Sequence, residues 1–304
     1  MRFNPKARLN TRRMGDSGRS SGGGRGGSGI AIPGGVAGGG IGGLILVVIV
    51  IGVSLWMGGG TSGGLDGSRM SDTGRYESCT TGEEANDDPD CARVAVENSL
   101  YDYWDETLPA QSGTELAAER LQTFSDGVGT GCGQASADIG PFYCPSDQTI
   151  YLDTTFFDEV LERQLGGPSG AFVEPYVLAH EYGHHIQNLL GTMGKVRTQQ
   201  GPRSDAVRLE LQADCYAGMW ARAATTTEDE DGNVLISDLT EQDVQQAMDA
   251  AAAVGDDRIQ SSGGGDIDPD SWTHGSAEMR MEWFLTGYRS GSMEACDTFA
   301  SDAL

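Results

Sequence analysis

Along the C-terminal three quarters of the chain, apolar residues recur at steps of three and four, the spacing of one buried helix face. The stretches "ARVAVENSLYDYWDETL", "TELAAERLQTF" and "TTFFDEVLERQLGG" follow it, with the short run "QTIYLD" (148–153) between the last two as a strand. "VLAHEYGHHIQNLLG" follows it too, with Pro175 suited to the first turn and Gly191 to the end. Next come "SDAVRLELQADCYAGMWARAA", where Ser204 and Asp205 can cap, and "DLTEQDVQQAMDAAAAVG", which Gly255 should stop. "TEDEDGN" has the composition of a calcium loop, but its glycine is misplaced for that spacing, so a surface loop is expected. The pattern predicts an α+β domain, mainly α, with a small sheet.

The N-terminal quarter is different. "GGVAGGGIGGLILVVIVIGVSLWM" (34–57) carries no charge, and about 20 apolar residues cross a bilayer. Residues 1–33 are rich in Gly, Ser and Arg and are expected to be a disordered basic segment. Residues 58–74 are expected to form a flexible linker, and 75–304 one domain. The basic segment before the span places the N-terminus in the cytoplasm and the large domain outside it, as a single-pass protein of the cell membrane. A cleaved signal peptide competes with this reading, but no A-x-A-like cleavage site follows the apolar core.

Charge sharpens the partition. The chain has 45 acidic residues against 20 Lys and Arg, with a net charge of −25. Seven of the bases and one acid fall in the first 30 residues, so the rest carries the whole acidic excess. That surface repels phosphates and argues against nucleic acid as a partner. All six cysteines lie beyond the apolar run, as an oxidising compartment would allow. Six permit 15 pairings. Proximity favours Cys79–Cys91 and Cys132–Cys144, which leaves Cys215–Cys296. A cysteine zinc site is not expected, because no C-x2-C occurs.

The candidate chemistry lies in two segments that hold all four histidines. On a helix His180 and His184 project from one face, about one turn apart, and can bind one Zn²⁺ through two imidazole nitrogens. Glu181 beside them can take a proton from an attacking water and pass it to the leaving amine. A catalytic zinc needs a third protein ligand. Glu210 and Asp214, again one turn apart in "ELQAD", are the candidates: Glu210 as ligand, and Asp214 as acceptor for the far N–H of His180 or His184. Asp205 is better explained as a cap. His185 faces away from His184. His274, in "DSWTHGSAEMRMEWFLTGY", can donate to an oxyanion or pack locally.

The order HExxH then ExxxD resembles that of gluzincin peptidases, in which the Glu binds zinc and the Asp orients a ligand histidine. The stretches "VLAHEYGHHIQ", "RLELQADCYAGMWA", "AAAVGDDRIQ", "THGSAEMRMEWFLTGY" and "CDTF" resemble the putative neutral zinc metallopeptidase family, single-pass bacterial membrane proteins. The resemblance implies a zincin-like core with His180, His184 and Glu210 on zinc and Glu181 as base. The expected function is hydrolysis of peptide or protein substrates by a membrane-anchored zinc endopeptidase. The rival is an inactive zinc-containing scaffold, which a fourth protein ligand would favour.

Overall fold

The computed structural model describes residues 1–19, 72–136, 139–300 and 303–304. Three strands run parallel: β2 (Met14–Arg19), β3 (Arg120–Ser125) and β7 (Thr149–Asp153). β6 (Phe142–Cys144) lies antiparallel to β7, so the sheet order is β2-β3-β7-β6 with β6 at an edge. Every residue of β7 is buried, as a central strand covered on both faces requires. β4 (Gly127–Thr130) and β5 (Gly133–Ser136) form a hairpin, and β1 (Arg2–Phe3) pairs with β8 (Ile236–Asp238).

Two helix expectations fail here. "TELAAERLQTF" supplies β3 instead, with no helix over its first half. Its apolar spacing fits a helix, but Leu121 to Phe124 are all buried and their backbone groups pair with strands on both sides. Tertiary pairing outweighs a local period here. "TTFFDEVLERQLGG" gives only a π-helical turn, Phe157–Glu162, cut short by Gly166, Gly167 and Pro168.

The other four predicted helices form where the period puts them, and three further α-helices join them among the described residues. α1 (Gly82–Asp87) leads into α2 (Pro89–Ser112), which Asp88 caps and Gly113 ends. α3 (Val173–Leu189), α4 (Asp205–Ala223), α5 (Glu241–Ala253), α6 (Asp256–Ser262) and α7 (Ala277–Ser290) follow. α3, α4 and α7 enclose a core of Phe172, Tyr176, Trp220 and Phe284, with Phe172 stacked on Trp220 at 5.6 Å. All three favoured disulfides are formed: Cys79–Cys91, Cys132–Cys144 and Cys215–Cys296.

The N-terminal arm departs most from the sequence reading. Residues 1–19 are part of the fold, not a disordered segment. Phe3, Ala7 and Met14 are buried, and β2 adds a strand to the sheet. Arg13 pairs bidentately with Glu97 of α2, at 2.5 and 3.2 Å, and Asn10 and Asn98 exchange two hydrogen bonds. Glycine and arginine content concealed this, because few residues of the arm carry its burial. The chain reappears beside β2, where the Thr73 N–H donates to the Asp16 carbonyl at 3.0 Å. The expected span 34–57 and most of the linker 58–74 lie outside the described residues. Among the described residues no helix is long and apolar enough to cross a membrane. As hydrogen-bonded neighbours, β2 and β3 must lie on the same side of any bilayer.

Candidate metal centre and its cleft

α3 is buried along nearly all of its length, so its histidines are held rather than free at the surface. Gly183 decides what faces them. A Cβ there would come within 3.0 Å of the Ala213 Cα, so any larger residue would push α4 away by a few tenths of an ångström. That approach brings Glu210 of α4 opposite His180 and His184. One ligand atom from each of the three lies within 4.8 Å of the others.

The hydrogen-bond partners fix the tautomers. His180 Nδ1 is 2.9 Å from Asp214 Oδ1, and a carboxylate only accepts, so Nδ1 donates. Gln187 donates its Nε2 to the Leu209 carbonyl, leaving Oε1 to accept from His184 Nδ1 at 2.8 Å. In the neutral imidazoles both Nε2 atoms therefore present lone pairs inward, where a proton or a metal ion can be held. They face the Glu210 carboxylate at 3.3 Å (His180 to Oε2) and 3.1 Å (His184 to Oε1). Three acceptors gathered in this way repel one another unless a cation lies among them. Ligand bonds of about 2.0–2.1 Å in a tetrahedron span edges of about 3.3 Å, so the donor set fits zinc. Glu210 Oε1 is buried and has no hydrogen-bond partner, as a position reserved for a cation would leave it.

The electrostatics agree with that fit. Burial disfavours a charged His180, yet Asp214 and Glu210 outweigh it and raise the imidazole to about 10. Burial likewise opposes ionised Glu210, but His184 and His180 hold it well below the usual carboxylate range. The pocket thus favours positive charge between the imidazoles and the carboxylate. Asp214 is fully buried; burial pushes it up, and Arg280 with His180 brings it down to about 2. Tyr176 also donates its hydroxyl to Asp214, at 2.6 Å.

Glu181 and His274 line the same cleft, of about 210 Å³, as His180, His184 and Glu210. Burial raises the Glu181 carboxyl, against the lowering pull of His184 and His180. His274 lies in a loop organised by Asp256. One oxygen of that carboxylate accepts the successive backbone N–H groups of Thr273, His274 and Gly275 at 2.7–2.9 Å, and the other is 3.4 Å from His274 Nδ1. His185 points away from the metal group and is wholly buried. Its Nε2 donates to the Ala117 carbonyl at 2.6 Å and its Nδ1 meets the Tyr143 hydroxyl at 2.9 Å. Asp205 ties the preceding turn, accepting from the N–H groups of Arg197 and Thr198, while Ser204 caps α4.

Sequence reasoning missed Arg280, Gln187 and Asp256. Gln187 follows His184 by three residues on the same helix, which is a legible signal. Arg280 and Asp256 carried none, since each reaches the site from a different helix.

A family model described as putative neutral zinc metallopeptidase matches residues 4–299. An uncharacterised protein of Mycobacterium tuberculosis is 49% identical over 225 residues, covering 73% of this chain and 75% of its own. The uncharacterised protein YpfJ of Escherichia coli is 35% identical over 280 residues, 90% of each chain. No solved structure matches. With the family model spanning nearly the whole chain and its HExxH histidines facing Glu210, this protein belongs to the putative neutral zinc metallopeptidase family.

Proposed function

We propose that this chain is a zinc-dependent endopeptidase whose metal is held by His180, His184 and Glu210. The observation that carries the reading is the inward-facing set of three acceptors in a cleft that also presents Glu181 and His274. Among the described residues this metal-binding group has three members, which favours a catalytic centre over a closed structural one. Zinc bound there supplies Lewis-acid polarisation of the scissile carbonyl and of the attacking water. Glu181 takes the proton from that water and delivers it to the leaving amine. His274, steadied by Asp256, donates to the oxygen on which negative charge develops. Asp214 and Gln187 hold the ligand imidazoles in one tautomer and orientation.

We further assign residues 34–57 to membrane attachment, on the strength of their uninterrupted apolar run, and the folded part to an oxidising compartment outside the cytoplasm, supported by its three disulfides. The pairing of β2 with β3 is compatible with attachment only when both flanks of that run lie on one face.

The test is metal analysis of the purified chain with a casein-type assay, with and without chelator. About one zinc per chain, chelator-sensitive hydrolysis, and loss of hydrolysis with retained zinc in Glu181→Gln are expected. Zinc-loaded wild type that cleaves nothing would sink the enzyme reading in favour of a scaffold.

A further inference from the structure

Part of the cleft takes no part in the bond-breaking chemistry. Its lining includes Phe156, Leu161, Val177, Ala250 and Val254, from the chain at the π-helical turn, from α3 and from the end of α5, which belong to or pack against one apolar cluster. Gly140 leaves room for the Phe156 ring, since a Cβ there would come within 2.9 Å of it; at φ +80° that position also favours glycine.

The charge near this wall is already committed. Arg280 lines the cleft, but its guanidinium donates twice to Asp214 and once to the Val254 carbonyl. Asp214 is fully buried behind it. An acidic side chain entering here would lose its water and find Arg280 already paired, and a basic one would have to compete with the proposed chemistry for Glu181. A small one would leave apolar walls in contact with water, whereas a large apolar one would cover them.

We propose that this bay binds a bulky, uncharged apolar side chain next to the scissile peptide bond, and that Val254 and Val177 set its size. The proposal rests on the peptidase reading above and names its substrate class: peptides carrying Leu, Phe or Met at that position. Hydrophobic pockets discriminate by about 10–200-fold per methylene-sized difference, so the preference over Ala is measurable.

The experiment uses two peptide series identical except for Gly, Ala, Leu, Phe, Asp or Lys on one or the other side of a single cleavable bond. kcat/KM is measured for the wild type, and affinity for the same peptides on zinc-loaded Glu181→Gln. In one series Leu and Phe should exceed Ala by about 10²-fold and Asp and Lys by more. Val254→Trp should then lower the Phe peptide by about 10²-fold while the Ala peptide is held or improved, a crossover that misfolding does not produce. Val177→Trp is the second filling variant. A flat series, or a preference for Asp or Lys, overturns the bay assignment while leaving the peptidase intact. Selective binding of the Leu and Phe peptides without hydrolysis by the wild type supports the bay and overturns the peptidase reading instead.

Discussion

Arg280 grips Asp214 with two hydrogen bonds, Nε to Oδ2 at 2.8 Å and Nη2 to Oδ1 at 3.0 Å. The same Oδ1 receives the His180 Nδ1–H at 2.9 Å. A guanidinium on α7 thus sets the position of an imidazole on α3 through a carboxylate on α4. Removing Arg280 leaves a buried, unpaired carboxylate, and Arg280→Ala should cost about 3–5 kcal/mol of stability in denaturant titrations.

Metal affinity should separate the ligand from its support. Glu210→Ala removes a proposed ligand and should abolish stoichiometric zinc. Asp214→Ala should weaken zinc about 10–100-fold, the range for groups that orient a ligand. Competition with a chelator of known affinity measures both, and equal losses would break the assignment of roles.

For His274, the loop geometry predicts a kinetic signature. If His274 has the proposed role, His274→Ala should lower kcat by about 10²–10³ with zinc content and KM little changed, because a bond to developing charge is used only in the transition state. Asp256→Asn loses acceptor strength toward three backbone N–H groups and should lower kcat less. Loss of zinc in His274→Ala would make His274 a ligand and count against catalysis.

His185 predicts a slope in acid. Burial holds it neutral, with its pKa pushed down to about 4, against about 6.5 in an unfolded chain. As pH falls the unfolded chain takes the proton first, so stability is lost between about 6.5 and 4. The loss reaches about 3 kcal/mol at the lower end, by the usual 1.36 kcal/mol per unit. The difference between wild type and His185→Gln across that window isolates it. A parallel pH dependence in the two proteins would contradict the buried neutral state.

The two lysines report on topology. Lys6 lies in the N-terminal arm and Lys195 after α3, and both are exposed. A membrane-impermeant amine reagent on intact cells should modify both, as the shared sheet requires. Labelling of Lys195 alone would mean that β2 does not pair with β3.

The site was more legible in the sequence than the scaffold around it. His180, His184, Glu210 and Asp214 could be read because each pair repeats at one helical turn, and helices fix such neighbours locally. The order of the sheet could not, because β3 and β2 owe their form to partners about a hundred residues apart. Arg280 and Asp256 were illegible for the same reason: a buried charge is identified by what it meets, not by its neighbours in the chain.

The Cys215–Cys296 bond has a consequence for biosynthesis. Cys215 adjoins Asp214 on the helix that also carries Glu210, and its partner lies 81 residues later, close to the last described residues. The intervening chain includes His274 and Arg280. During synthesis, the HExxH helix and its facing carboxylate emerge well before the groups that complete the centre. Covalent closure waits until residue 296 has been made. A ribosome-bound fragment ending before residue 296 can hold His180, His184 and Glu210 without the bond, so covalent closure beside this centre follows the synthesis of its distant partner cysteine.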